Sequence, residues 1–291
     1  MKRDCVPRLS ALRPVYDPSP SADEPWYIND HAIIRDRAGV WHMIGITHRE
    51  PADPFREVDF AHATAPSVTG PWRREAHALT ADPEAGETHL WAPHIIHHEG
   101  HYWMFYCAGG EDHTRYRLHL ATSEDLFSWE RHAGNPLIVD GFDARDPMVC
   151  RTGDCWTMYY TGTERPEGGR HAVLAATSTD LIRWSGRRVV FCDERSGTFG
   201  GPCESPFVLE RGGWWYLFIG PRQLGEAGED PYNTTGVYRS GDPHAFAEDQ
   251  RVAMLPAHAA EVVRDGERWY ITHCGWGQGG LHLAELVWGK G

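Results

Sequence analysis

Apolar and polar residues along this chain alternate in short runs opened by glycine turns, and no stretch settles into a helical 3.6-residue period. The most regular run is Gly39-Val40-Trp41-His42-Met43-Ile44, a glycine followed by Trp- or Tyr-rich apolar positions. It returns at Gly100-His101-Tyr102-Trp103-Met104-Phe105, Gly153-Asp154-Cys155-Trp156-Thr157-Met158, Gly213-Trp214-Trp215-Tyr216-Leu217-Phe218 and Gly266-Glu267-Arg268-Trp269-Tyr270-Ile271. Successive copies lie roughly 50–60 residues apart, a spacing suited to the blades of a propeller.

Two further segments accompany each copy. After it comes a run such as Phe60-Ala61-His62-Ala63-Thr64, Leu118-His119-Leu120-Ala121-Thr122 or Val173-Leu174-Ala175-Ala176-Thr177. Two of these continue almost identically, as Ser123-Glu124-Asp125-Leu126-Phe127-Ser128-Trp129 and Ser178-Thr179-Asp180-Leu181-Ile182-Arg183-Trp184. Before each glycine turn lies a shorter run: Ile28 to Ile34, Trp91 to His97, Asp146 to Cys150, Glu204 to Leu209 and His258 to Val263. Each unit thus predicts a meander of at least three strands that cannot bury its faces alone. The expectation is an all-β protein, a single five-bladed β-propeller formed as one domain over residues 1–291. Residues Arg8 to Tyr16 would add an outer strand to the last blade and close the ring.

Composition narrows the function classes. With 41% hydrophobic residues the chain has the apolar content a folded core needs, and no apolar run approaches the roughly 18 residues of a membrane helix. The net charge of −13 shows no basic face for nucleic acid, so a neutral partner is expected, with no nucleic acid and no membrane. The first residues, Met1-Lys2-Arg3-Asp4-Cys5, lead into no apolar signal segment. Seven cysteines, none in C-x-x-C spacing, read as reduced thiols of a cytoplasmic protein rather than as a metal or redox motif. The sequence leaves the oligomeric state open.

In a propeller the first strand of each blade lines the central channel, so acids at the starts of those runs converge. Asp30, Asp146 and Glu204 stand at what read as equivalent places in nonadjacent units. Glycoside cleavage asks for such a set: one protonated carboxyl to donate to the leaving oxygen and one ionised carboxyl to attack or to activate water. A third negative group steadies an oxocarbenium-like centre and holds the acid's pKa up. Other motifs carry less. Gly275-Trp276-Gly277-Gln278-Gly279-Gly280 matches a dinucleotide fingerprint but opens no helix and reads as a hairpin loop. His97-His98-Glu99 lacks the second histidine of a zinc helix, and no G-x-S-x-G elbow occurs.

Tyr27-Ile28-Asn29-Asp30, Ala144-Arg145-Asp146-Pro147 and Cys203-Glu204-Ser205-Pro206 resemble the three acidic blocks of the five-bladed glycoside hydrolases. Those are the invertase/fructanase family 32, the levansucrase family 68 and the arabinanase/xylosidase family 43. The Arg145-Asp146-Pro147 block resembles the fructosidase side, and Trp91-Ala92-Pro93 resembles family 43. The resemblance implies a glycosidase that cleaves a terminal furanoside or related small sugar, a fructoside slightly ahead of an arabinoside or xyloside. It implies Asp30 as nucleophile in retaining members or general base in inverting ones, Asp146 as transition-state stabiliser or pKa modulator, and Glu204 as general acid or acid/base. Arg145 and Trp91 would contact the sugar, and His31, His258 and His273 join them as candidate substrate-binding residues. No cofactor is implied as required, and no residue is assigned as a metal ligand. The resemblance leaves room for a central calcium ion near His273.

The chain departs from the invertase pattern in three places. His31-Ala32 follows Asp30 where Pro-Asn-Gly is usual, Cys203 precedes Glu204 rather than following it, and the chain ends at Gly291 without the β-sandwich of family 32. The same acids would also serve a non-hydrolytic reaction, such as glycosyl transfer, phosphorolysis or a biosynthetic elimination or cyclisation. A noncatalytic sugar-binding propeller is the third alternative.

Overall fold

The computed structural model describes residues 5–110, 112–193, 203–220 and 232–290. Among them, five antiparallel sheets follow one another along the chain and form a five-bladed β-propeller. The inner strands are Trp26–Arg35, His89–His98, Arg145–Thr152, Glu204–Arg211 and Val262–Asp265. Each of the first four continues outward through a second, third and fourth strand. The fifth inner strand starts at Val262, later than the His258 expected from the hydrophobic pattern.

The repeat is visible in detail. The hairpin glycines Gly39, Gly100, Gly153, Gly213 and Gly266 all take positive φ, between 59 and 90°, which L side chains rarely adopt. The two near-identical segments form the same turn twice. Asp125 accepts from the amides of Phe127 and Ser128, and Asp180 from those of Ile182 and Arg183. The indole N–H of Trp129 donates to Leu126 O at 3.0 Å, and that of Trp184 to Leu181 O at 3.2 Å.

The fifth sheet is completed from the other end of the chain. Cys5–Leu9 and Arg13–Tyr16 both pair antiparallel with Leu281–Lys290, as the pattern at Arg8 to Tyr16 implied. The apolar clusters sit between blades. One joins blades three to five through Tyr159, Phe218 and Ile271, and the others bridge five to one, one to two and two to three. The core is therefore a ring around the channel.

Candidate functional site at the channel

Each inner strand carries the same irregularity. Its pairing with the second strand slips by one residue between Ile28 and His31, Trp91 and His94, Arg145 and Met148, and Glu204 and Phe207. Such a bulge bends the strand and re-aims the side chains on it. Blade five keeps the corresponding backbone bonds, from Cys274 N–H to His258 O at 3.4 Å and from Thr272 N–H to Glu261 O at 3.0 Å. Ala92, Asp146, Ser205 and Ala259 share left-handed φ values of 47, 54, 48 and 47°. Non-glycine residues held there store roughly 1–3 kcal/mol each.

The three acids expected at equivalent places in nonadjacent repeats are arranged differently. Glu204 stands before the bulge of blade four, Asp146 first within that of blade three, and Asp30 second within that of blade one. Blades three and four are also neighbours. The staggering brings the acids together at the axis. Asp30, His31, Ala92, Asp146, Ser205 and Glu261 are among the residues lining a small cavity there, and Glu204 stands beside it.

Arg145 ties the group. Its guanidinium donates from Nη1 to Asp146 Oδ2 at 2.8 Å, from Nη2 to Glu204 Oε1 at 2.7 Å and from Nε to Asp143 Oδ1 at 3.2 Å. Its five donors in a rigid fork make such multiple pairing feasible. Ser205 adds its backbone N–H to Asp146 Oδ2 at 3.1 Å and its hydroxyl to Asp30 Oδ1. The Thr161 hydroxyl lies 3.2 Å from Asp146 Oδ2 and 2.9 Å from the Cys203 carbonyl oxygen.

One buried cation thus faces three carboxyls in contact, with Asp30 close by. Burial raises the Asp30 carboxyl above its usual range, with the Ser205 hydroxyl pulling the other way. Burial also raises Asp146 against the opposing charge of Arg145. Glu204 is pushed up to about 7, by burial first and then by the charges of Asp146 and Asp30, with Arg145 countering. A carboxyl that keeps its proton near neutrality beside others paired to a cation is the division an acid and a base require.

The other expected residues fall around this centre. His31 is buried and lines the cavity, with Nε2 2.9 Å from Thr272 Oγ1 and Nδ1 3.2 Å from Cys274 Sγ. Burial lowers its pKa to about 3, so it is neutral at pH 7. His258 stacks on Tyr232 at 3.9 Å, and its backbone N–H donates to His273 Nδ1 at 2.9 Å. His273 Nε2 lies 3.4 Å from Gln278 Oε1. A calcium ion prefers six to eight oxygen ligands, a poor match for this histidine pair, and no group of three or more His, Cys, Asp or Glu among the described residues is arranged to hold a metal. Trp91 is half-buried, its indole donating to Pro54 O at 3.1 Å and packing on His89 at 3.9 Å. Of His89 and His94, which flank the Trp91-Ala92-Pro93 block, His94 turns towards the channel, 3.9 Å from Glu261.

Asp143, Ser205, Glu261 and Glu57 were not anticipated. Glu57 is buried, accepting from the Tyr27 hydroxyl at 2.7 Å and the Trp276 indole at 2.9 Å. Burial pushes its pKa up to about 8. The signal for Glu261 was a carboxylate inside the apolar run Ala259-Ala260-Glu261-Val262-Val263. For Asp143 it was a third acid two positions before Arg145.

Gly45 is the close-packing point behind the site, because a Cβ there would lie 2.5 Å from His31 Cβ and 3.3 Å from the Asp30 carbonyl oxygen. Gly45→Ala is expected to displace the strand that carries Asp30. Turnover should fall at least ~10-fold, with about 1–3 kcal/mol lost in denaturant unfolding.

Comparison with known proteins places the chain in a family. The model of "Glycosyl hydrolases family 43" matches residues 70–284. A probable arabinan endo-1,5-alpha-L-arabinosidase C of Aspergillus fumigatus is 31% identical over 75 residues, covering 24% of this chain and 23% of that protein. The match therefore spans about a quarter of that relative's length. Among solved structures, a GH43 beta-xylosidase/alpha-arabinofuranosidase from a compost microbial metagenome superposes with a TM-score of 0.68 at 15% identity, covering 97% of this chain and 95% of that one. The GH32 beta-fructofuranosidase of Bombyx mori gives 0.64 at 17%, covering 91% of this chain and 61% of that one. At these identities the solved structures speak for the fold.

Proposed function

Since the chain belongs to glycosyl hydrolases family 43, we propose that it cleaves arabinosides or xylosides with Asp30, Asp146 and Glu204 as its working carboxyls. It is a glycosidase by family, and the likeness to family 32 rests on fold alone, which moves the fructoside reading behind the pentosides. The observation that carries the catalytic assignment is Asp146 and Glu204 bonded to one guanidinium, with Ser205 linking Asp146 to Asp30 at the channel axis.

In this reading Glu204 donates its proton to the leaving oxygen as the glycosidic bond lengthens. Asp30 acts from the other side, attacking the anomeric carbon or taking a proton from an attacking water. Asp146, held by Arg145 and the Ser205 amide, faces the positive charge that develops on the sugar ring. No step passes through a cofactor or a cation near His273.

Turnover of a panel of arabinofuranosides, xylosides and fructosides tests the substrate class. Release of a pentose by the wild type and its loss in Asp30→Asn supports the reading, and release of fructose alone overturns it. The stereochemistry of the first-formed sugar, followed by NMR, separates the two roles of Asp30.

The activity profile should be bell-shaped. Glu204 must be protonated to act, so kcat/KM is expected to hold below about 7 and to fall as pH rises through that value. Asp30 must be ionised, so the acid limb should lie above the usual aspartate pKa.

Trp276 is 39% exposed, held at Nε1 by Glu57 and stacked on Tyr232 at 5.8 Å with 17° between the rings. Together with His258 these rings form a wall suited to the apolar face of a sugar. Trp276→Ala is expected to raise KM about 10-fold with little change in kcat, as loss of uniform binding would. A change in kcat alone would remove Trp276 from the sugar site.

All seven cysteines are free thiols, and among the described residues no helix is long and apolar enough to cross a membrane. The free thiols support a reducing compartment, and we place the protein in the cytoplasm on that ground. The proposed partner is a small carbohydrate, with neither nucleic acid nor membrane called for.

A further inference from the structure

Arg145 has a third carboxylate partner that the reaction itself does not use. Asp143 is fully buried at φ 65°, beyond Arg145 from the cavity. Its Oδ2 accepts from His171 Nε2, its Oδ1 lies 3.5 Å from His113 Nδ1, and its backbone N–H donates to His113 O at 3.0 Å. A chain of contacts therefore runs from His171, on the third strand of blade three, through Asp143 and Arg145 to Glu204 at the start of blade four.

We propose that Asp143 is a positioning residue that shares the charge of Arg145 and so keeps that cation from drawing the proton off Glu204. The inference deepens the acid role given to Glu204 above and rests on it. A guanidinium bonded only to Asp146 and Glu204 would press both carboxyls towards the ionised form, because an opposite charge in contact favours ionisation. Asp143 supplies a full negative charge on the far side of the same cation. Although burial works against it, Arg145 and His171 hold its pKa down to about 2, so it stays ionised across the working range. His171 is lowered by burial and donates as a neutral ring.

Other charged and titratable groups surround the pair. Glu204 faces Arg145 and Asp146 from blade three, Asp30 from blade one and the Tyr232 phenol. Asp143 faces Arg145, His113 and His171, with Asp146, Tyr116 and the Cys107 thiol close by. Burial raises both Tyr116 and Cys107, so neither brings a charge near neutral pH.

The test is Asp143→Asn, which keeps the shape and removes the charge. The pH at which the Glu204 carboxyl titrates, followed in the infrared and assigned by its absence in Glu204→Gln, is expected to fall by about one unit or more. The alkaline limb of kcat/KM should move to lower pH with it. Asp143→Glu, which restores the charge, should return both readouts towards the wild-type values. His171→Asn loosens the same carboxylate from its far end and should shift the limb in the same direction by less. It serves as the second variant should Asp143→Asn fail to fold.

An unchanged Glu204 titration in a folded Asp143→Asn protein, or in His171→Asn where the first does not fold, overturns the proposal. So does an upward shift. The infrared readout needs no substrate. A protein whose Glu204 titration shifts as expected but which cleaves no glycoside would therefore refute the proposed activity and leave the charge-sharing standing.

Discussion

With Asp30 replaced by Asn, turnover of the true glycoside is expected to fall about 10³- to 10⁴-fold, the range a positioned base or nucleophile contributes. The amide preserves size and can still take up the Ser205 hydroxyl, so the fold and the cavity should survive. Binding of the unreacted sugar should persist, which makes the loss one of kcat rather than KM. Steady-state kinetics beside a calorimetric binding titration measures both. Full activity in Asp30→Asn would remove this carboxyl from the reaction. External azide adds a further reading: recovery of activity with a glycosyl azide of inverted anomeric configuration would show that the missing group had acted on the face opposite the leaving oxygen.

Glu204→Gln should show a loss that depends on the leaving group. Where the leaving oxygen belongs to another sugar, protonation is needed and kcat/KM is expected to drop about 10³-fold or more. Where it belongs to a dinitrophenol, which departs unaided, the drop should shrink to about 10-fold. The alkaline limb near pH 7 should vanish in the same variant, because the group that titrates there has gone. Equal losses on both substrates, with the limb retained, would assign the proton to another residue. Glu204 is bonded to Arg145, so the variant also leaves that cation to Asp143 and Asp146. A parallel shift in stability is therefore expected and should be measured alongside.

Much of this was legible before any coordinates. The hairpin glycines such as Gly100 and Gly153 punctuate the blades because only their backbone tolerates that turn, and the Ser-x-Asp-Leu segments repeat because each closes the same hydrogen-bonded loop. Asp30, Asp146 and Glu204 could be singled out because inner strands converge on an axis. What remained hidden depends on three-dimensional register. Nothing in Arg145-Asp146-Pro147 alone announces a left-handed φ at Asp146, and without that bulge the three acids cannot be seen to be staggered rather than level. Asp143 stands two residues from Arg145, but the histidines that fix it come from afar: His113 is 30 and His171 is 28 residues away in the chain. Arg145 read as a sugar contact, and the structure shows its guanidinium bonded to three carboxyls, a fact of packing that no local pattern encodes.

The closure of the ring by Cys5–Leu9 and Arg13–Tyr16 carries a consequence for how the molecule is made. During translation these strands emerge long before their partner Leu281–Lys290; Glu285 N–H meets Ser10 Oγ across 275 residues. Joining ends that far apart costs conformational entropy that no local contact offsets beforehand. Four blades can thus assemble while the chain is still growing, and the fifth must wait until Leu281–Lys290 has emerged. In the interval the nascent protein offers an unpaired sheet edge at each end, so crowded expression should favour strand exchange between two unfinished copies over aggregation at random.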